Sequence, residues 1–139
     1  MSSRLPTDQV SRPLPLDRVT ARDLAFVGDA VYELAVRSHV VLQPGTPGSH
    51  HREAVRRVRA SAQARSLRML EGFLSPEERE VVRRARNAKT GSPPRGVSAA
   101  DYHFSTAFEA LLGHLYVRGQ QDRLQEILHL VLNSEEAPP

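Results

Sequence analysis

Leu24-Ala25-Phe26-Val27-Gly28-Asp29-Ala30-Val31-Tyr32-Glu33-Leu34 is an oily helical run with an aspartate inside it. A helix that is apolar nearly all round belongs in the middle of a domain. A second run of the same kind, Thr106-Ala107-Phe108-Glu109-Ala110-Leu111-Leu112-Gly113, carries a glutamate. Burying a carboxylate is costly unless it is paired or bound to a metal. Two of them, on helices far apart in sequence, point to a fold that brings them together around a divalent cation. Asp29 and Glu109 are therefore the candidate metal ligands. The bland alternative for each is a helix-pairing role, with an arginine satisfying the charge.

Outward from these runs, the chain punctuates itself clearly. Thr20-Ala21-Arg22-Asp23 is a capping box that starts a helix at about Ala21. That helix ends near Val41, before the breaker loop Pro44-Gly45-Thr46-Pro47-Gly48. A second helical region covers about 49–70, with a break expected near Ser61 and an end at Gly72. Ser75-Pro76-Glu77-Glu78 is a strong start for a helix that reaches about Ala85. The stretch 87–96 reads as loop. Ser98-Ala99-Ala100-Asp101 opens a helix to about Val117, closed by Gly119. The last helix spans about 122–132, with Leu124, Ile127, Leu128, Val131 and Leu132 on one face. No segment alternates with a period of two, so the fold class is all-α, a helical bundle. Residues 1–19 read as a loose arm in which Leu14, Leu16 and Val19 are placed to pack on the body. Residues 20–133 form one domain, and 134–139 a tail.

Composition narrows the function. At 139 residues the chain is large enough for one domain with a real core. It has no cysteine, which excludes disulfides and thiolate metal sites and fits a cytoplasmic home. No run approaches the ~20 apolar residues of a membrane span, and the N-terminus lacks the apolar core of a secretory signal. The net charge of +3 is unevenly spread. From Arg52 to Arg95 twelve basic residues face five acidic ones, a net +7, while the remainder carries −4. A basic middle third points to a polyanionic partner; the competing explanation is a solvated, arginine-rich helix face. With 5% aromatic residues, stacking on single strands is disfavoured.

Other residues read more plainly. Glu33 and Arg37 form an i,i+4 surface pair. Tyr32 and Phe108 are core. Gly28 and Gly113 weaken their helices, which close helix packing would explain, including packing across a dimer seam. Thr106 either supports the site through a water or lies on the helix surface. The six histidines lack ligand spacing, and Glu77 and Glu80 are accounted for by the helix dipole.

Three ordered motifs carry a family resemblance. Leu24–Val31 resembles the signature of ribonuclease III domains, and Phe108–Gly113 their second acidic motif. The chain is more similar still to the Mini-ribonuclease III family, through Gly28-Asp29-Ala30-Val31-Tyr32-Glu33, Arg86-Asn87-Ala88-Lys89 and Tyr102-His103-Phe104-Ser105-Thr106-Ala107-Phe108-Glu109-Ala110-Leu111. The likeness covers about 14–132. It implies an all-helical endonuclease domain that acts as a homodimer on double-stranded RNA. A precursor of large-subunit ribosomal RNA is the substrate in the best-known members. By this resemblance Asp29 and Glu109 are the essential acids and Mg²⁺ ligands. Ala25 and Thr106 stand where classical ribonuclease III has two more acids, as in Mini-ribonuclease III. Duplex RNA is read through phosphates and 2′-hydroxyls, and Arg86, Asn87, Lys89 and Arg95 are the expected backbone contacts. A non-catalytic, duplex-binding or ribosome-associated protein of the same fold is the alternative.

Overall fold

The computed structural model describes residues 18–88 and 91–134. Six helices account for most of them: α1 (Ala21–Val41), α2 (Pro47–Val58), α3 (Ala60–Leu70), α4 (Pro76–Asn87), α5 (Ala99–Val117) and α6 (Gln121–Ser134), with a 3₁₀ turn at Glu71–Phe73 after α3. No strand occurs among the described residues, and no described helix is long and apolar enough to cross a membrane. Most of the 1–19 arm, with Leu14 and Leu16, lies outside the described residues.

Local chemistry explains the starts and stops. Thr20 accepts from the Asp23 backbone N–H at 3.0 Å, and the Asp23 carboxylate accepts from the Thr20 N–H at 3.0 Å, a complete capping box. Thr46 with Ser49 caps α2 in the same reciprocal way, and Ser75 with Glu78 caps α4. Ser98 accepts from the Asp101 N–H and so caps α5. Gly119, at φ 72°, turns the chain out of α5 in a conformation that suits glycine. The break between α2 and α3 falls at Arg59, whose extended backbone (ψ 154°) interrupts the helix, rather than at Ser61. The Gln63 amide holds that corner, donating to the Val58 carbonyl at 2.9 Å. Helix α4 runs two residues past the expected Ala85, which puts Arg86 and Asn87 on its last turn.

Helix α5 is the axis of the domain. From Ser105 to Tyr116 every residue is buried except Glu109. Helices α1, α3 and α4 pack around it, α2 packs on α1, and α6 covers the far end. The core combines Tyr32, Val36 and Val40 of α1 with Phe108, Leu111, Leu112 and Leu115 of α5, then Leu67, Leu70, Ile127 and Val131. Tyr32 meets Phe108 edge-to-face, with ring centroids 4.9 Å apart.

The closest approach is between α1 and α5. A Cβ on Gly28 would overlap the Glu109 carbonyl, and one on Gly113 would overlap the Leu24 carbonyl. The two glycines face each other across one crossing, so the backbones touch there. Their contact is made within the chain, between α1 and α5, and not across a dimer seam.

Two arginines work inside the fold. Arg57, 3% exposed, donates to Glu53 Oε2 at 2.7 Å and to the Leu132 carbonyl at 2.9 Å, tying α2 to α6. It belongs neither to a solvated face nor to an RNA groove. Arg123 grips Glu78 with two hydrogen bonds of 2.8 Å and donates to the Phe73 carbonyl at 2.8 Å. Glu78, 4% exposed, is held below the usual carboxylate range chiefly by that guanidinium, against the opposing effect of burial. A carboxyl whose folded pKa is depressed stabilises the fold above its unfolded pKa. That stability disappears as pH falls through the folded value. Arg123→Ala is expected to lose about 3 kcal/mol at neutral pH, because it leaves Glu78 buried and unpaired. The variant's stability should also fall less on acidification than the wild type's. Urea denaturation at pH 7 and pH 3 checks both statements.

Candidate active site

The glycine crossing sets the site. Asp29 follows Gly28 directly on α1, and Glu109 is the residue whose carbonyl Gly28 touches on α5. Backbone contact at this point therefore brings the two acids together, as expected. Asp29 is exposed at the rim, while Glu109 is half-buried between the helices.

Glu109 is strongly perturbed. Its carboxyl is pushed up to about 8, first by burial and then by the negative charge of Asp29, whose carboxylate lies within hydrogen-bond reach. The neighbouring Gln63 side chain opposes the shift, and Glu33 adds a smaller upward push. None of these groups is cationic. Among the described residues neither Asp29 nor Glu109 has an ion-pair partner, which removes the reading of an acid satisfied by arginine. Glu33 instead pairs with Arg37 at 3.3 Å on the surface, as its spacing predicts.

The donor set fits a hard divalent cation. Two carboxylates that repel each other and have no cationic neighbour supply oxygen ligands of the kind Mg²⁺ or Mn²⁺ takes. Such an ion would be held by Asp29 and Glu109. Among the described residues no cluster of three or more His, Asp or Glu side chains could hold a metal. Among the described residues, the oxygens offered to such an ion are those of Asp29 and Glu109. Thr106, in place of a further acid, is buried and donates its hydroxyl to the Tyr102 carbonyl at 2.9 Å.

Perturbation of Glu109 has a measurable consequence without metal. Its folded pKa lies above its unfolded one, so the native state binds more protons between pH 4.5 and about 8. Stability therefore falls as pH rises through that window. Glu109→Gln removes the penalty and is expected to stabilise the metal-free protein at pH 8 by about 2–4 kcal/mol, an effect nearly absent at pH 4. Urea denaturation in EDTA at the two pH values tests this.

Gln63 escapes sequence reading. It is 3% exposed, fastens the α2–α3 corner and influences Glu109 from there. In sequence it is a lone amide among alanines, with no motif to mark it. The expected RNA contacts lie elsewhere. Arg86 and Asn87 are exposed at the end of α4, and Arg95 is exposed in the following loop. Lys89 lies outside the described residues.

Two central helices crossing through glycines, with a paired aspartate and glutamate at the crossing, define a ribonuclease III type of domain, and residues 22–120 match the Ribonuclease III domain family. The Mini-ribonuclease 3 of Thermoanaerobacter sp. strain X514 is 47% identical over 108 residues, which cover 77% of this chain and 76% of that protein. The Mini-ribonuclease 3 of Symbiobacterium thermophilum is 44% identical over 122 residues, covering 86% and 91%. A crystal structure of a protein from Fusobacterium nucleatum superposes with a TM-score of 0.78 at 26% identity, covering 86% of this chain and 97% of that one. The chain belongs to the Mini-ribonuclease 3 family of endoribonucleases.

Proposed function

We propose that the protein is a Mg²⁺-dependent endoribonuclease that cleaves double-stranded RNA as a homodimer in the cytoplasm, acting in maturation of the large-subunit ribosomal RNA precursor. The observation that carries the reading is the uncompensated Asp29–Glu109 pair at the α1–α5 crossing. A Mg²⁺ ion bound there would orient a water for attack and neutralise charge developing on the phosphodiester. Asp29 and Glu109 would hold the ion from two helices. The Gln63 side chain beside Glu109 favours its charged form.

The duplex preference draws support from the low aromatic content and from exposed Arg86, Asn87 and Arg95, to which Lys89 is added as a fourth backbone contact. Dimerisation draws support from α1, where Phe26 is 81% exposed and Leu34 47%, on the helix that carries Asp29. A two-fold dimer would place two copies of the acid pair on one duplex, one per strand. The catalytic domain runs from residue 20 to 133.

The test is incubation of a perfect RNA duplex and of a single strand of the same sequence with the protein, in Mg²⁺ and in EDTA. Cleavage of the duplex in Mg²⁺ alone is the expected result. Equal cutting in EDTA, or cutting confined to the single strand, would sink the reading; duplex binding without cutting would leave the non-catalytic role.

A further inference from the structure

Phe104 lies on α5, five residues before Glu109, or about 7.5 Å along the helix at 1.5 Å per residue. Two guanidinium groups converge on its ring. The Arg68 Cζ, from α3, is 4.5 Å from the ring centroid, and the Arg86 Cζ, from α4, is 4.6 Å from it. The two charges are separated by no more than those distances combined, about one Debye length (~8 Å) at physiological salt. Like charges this close repel each other, and an anion within reach of both would relieve the repulsion.

The other stacked and paired arginines do not share this freedom. Arg123 also stacks on a phenylalanine, Phe73, at 4.3 Å, but its N–H groups are taken by Glu78, Glu126 and a carbonyl. Arg56 and Arg57 are tied to Glu53, and Arg83 and Arg84 to Glu80. By contrast, no carboxylate among the described residues lies within ion-pair distance of Arg86. Arg68 has only a 3.9 Å contact with Asp101, at 46% side-chain exposure. Such an exposed, long pair contributes little. A guanidinium held by its face keeps its edge donors for a phosphate.

We propose that Phe104 is a positioning residue that holds Arg68 and Arg86 as a paired clamp for backbone phosphates of the RNA. The proposal rests on the duplex-RNA reading above and adds Arg68 and Phe104 to it. Stacking fixes two long side chains before RNA arrives, so less rotamer entropy is lost on binding. It also ties α3, α4 and α5 together at the last turn of α4. Sequence alone places Phe104 in a motif but gives no sign that two cations meet on it.

The test is duplex-RNA affinity in EDTA, by fluorescence anisotropy across a salt series, together with kcat and KM in Mg²⁺. Phe104→Leu is expected to weaken binding roughly fivefold to tenfold and to raise KM with kcat nearly unchanged. Phe104→Tyr, which keeps the ring, should stay within about twofold of wild type. Arg68→Ala with Arg86→Ala should lower the slope of log affinity against log salt by about two. In that double background Phe104→Leu should have no further effect on binding, a coupling that a merely structural phenylalanine would not show. If wild type binds duplex and Phe104→Leu binds equally well, or weakens binding by the same factor with and without the arginines, the clamp is overturned. If wild type binds no duplex, the clamp and the duplex reading both fall.

Discussion

Asp29→Asn is expected to lower Mg²⁺-dependent cleavage by about a thousandfold while leaving the fold and RNA binding in place. The amide keeps the size of the side chain and one oxygen but removes the charge that would hold a divalent cation. A bound metal is worth several kcal/mol of charge stabilisation, and each 1.36 kcal/mol is tenfold in rate. Unfolding cannot be the cause of the loss, because the substitution removes a repulsion. Asp29 is the second largest influence raising Glu109, after burial. Its neutralisation should therefore raise the melting temperature of the metal-free protein slightly. Three measurements close the argument: turnover on duplex RNA, duplex affinity in EDTA, and the melting temperature with and without Mg²⁺. The wild type should be stabilised by Mg²⁺ and the variant much less. A variant that cuts at more than a tenth of the wild-type rate would remove Asp29 from the chemistry.

Gly28→Ala should be, with Gly113→Ala, among the most damaging small substitutions in the chain. In a free helix the change would gain about 1 kcal/mol. Here the added methyl lands on the Glu109 carbonyl and lies 3.0 Å from the Gly113 nitrogen. Those are backbone atoms of the central helix, with no flexible side chain to move aside. Helices α1 and α5 must separate, and every core contact between them loosens. A net destabilisation of about 3–5 kcal/mol is expected, at the upper end for overpacking. Folded molecules that remain should turn over about a hundredfold more slowly, since a 1 Å displacement of reacting groups has that effect. Gly48→Ala provides the control. It is also helical, but its Cβ would meet only ordinary contacts, 3.5 Å and beyond. That variant should match or slightly exceed wild type by urea denaturation.

Most helix boundaries were legible because each one is written in side chains that act locally. Thr20 with Asp23, Ser75 with Glu78 and Ser98 with Asp101 cap through bonds between residues three apart. The two acids were legible because a charge in an apolar run contradicts its surroundings. What could not be read depends on distant partners. Arg57 looks like its neighbours in sequence, and only the Leu132 carbonyl, 75 residues on, makes it an internal tie. The α2–α3 corner sits at Arg59 because Gln63 fastens it there. Close packing was legible at Gly28 and Gly113, but not the surface each glycine meets. Glu109 identified itself as an acid, but its exchange of effects with Gln63 and Asp29 is a property of three helices at once.

The contact of backbone with backbone at Gly28 has a consequence for how such an enzyme can diversify. The separation of the two acids is gauged by main chain, which no side-chain replacement elsewhere can retune. Arg86, Asn87 and Arg95 sit outside that crossing, at the end of α4 and in the loop beyond it. Under the function proposed above, cutting and gripping are thereby housed in separate parts, and the grip can be rebuilt while the blade stays unaltered.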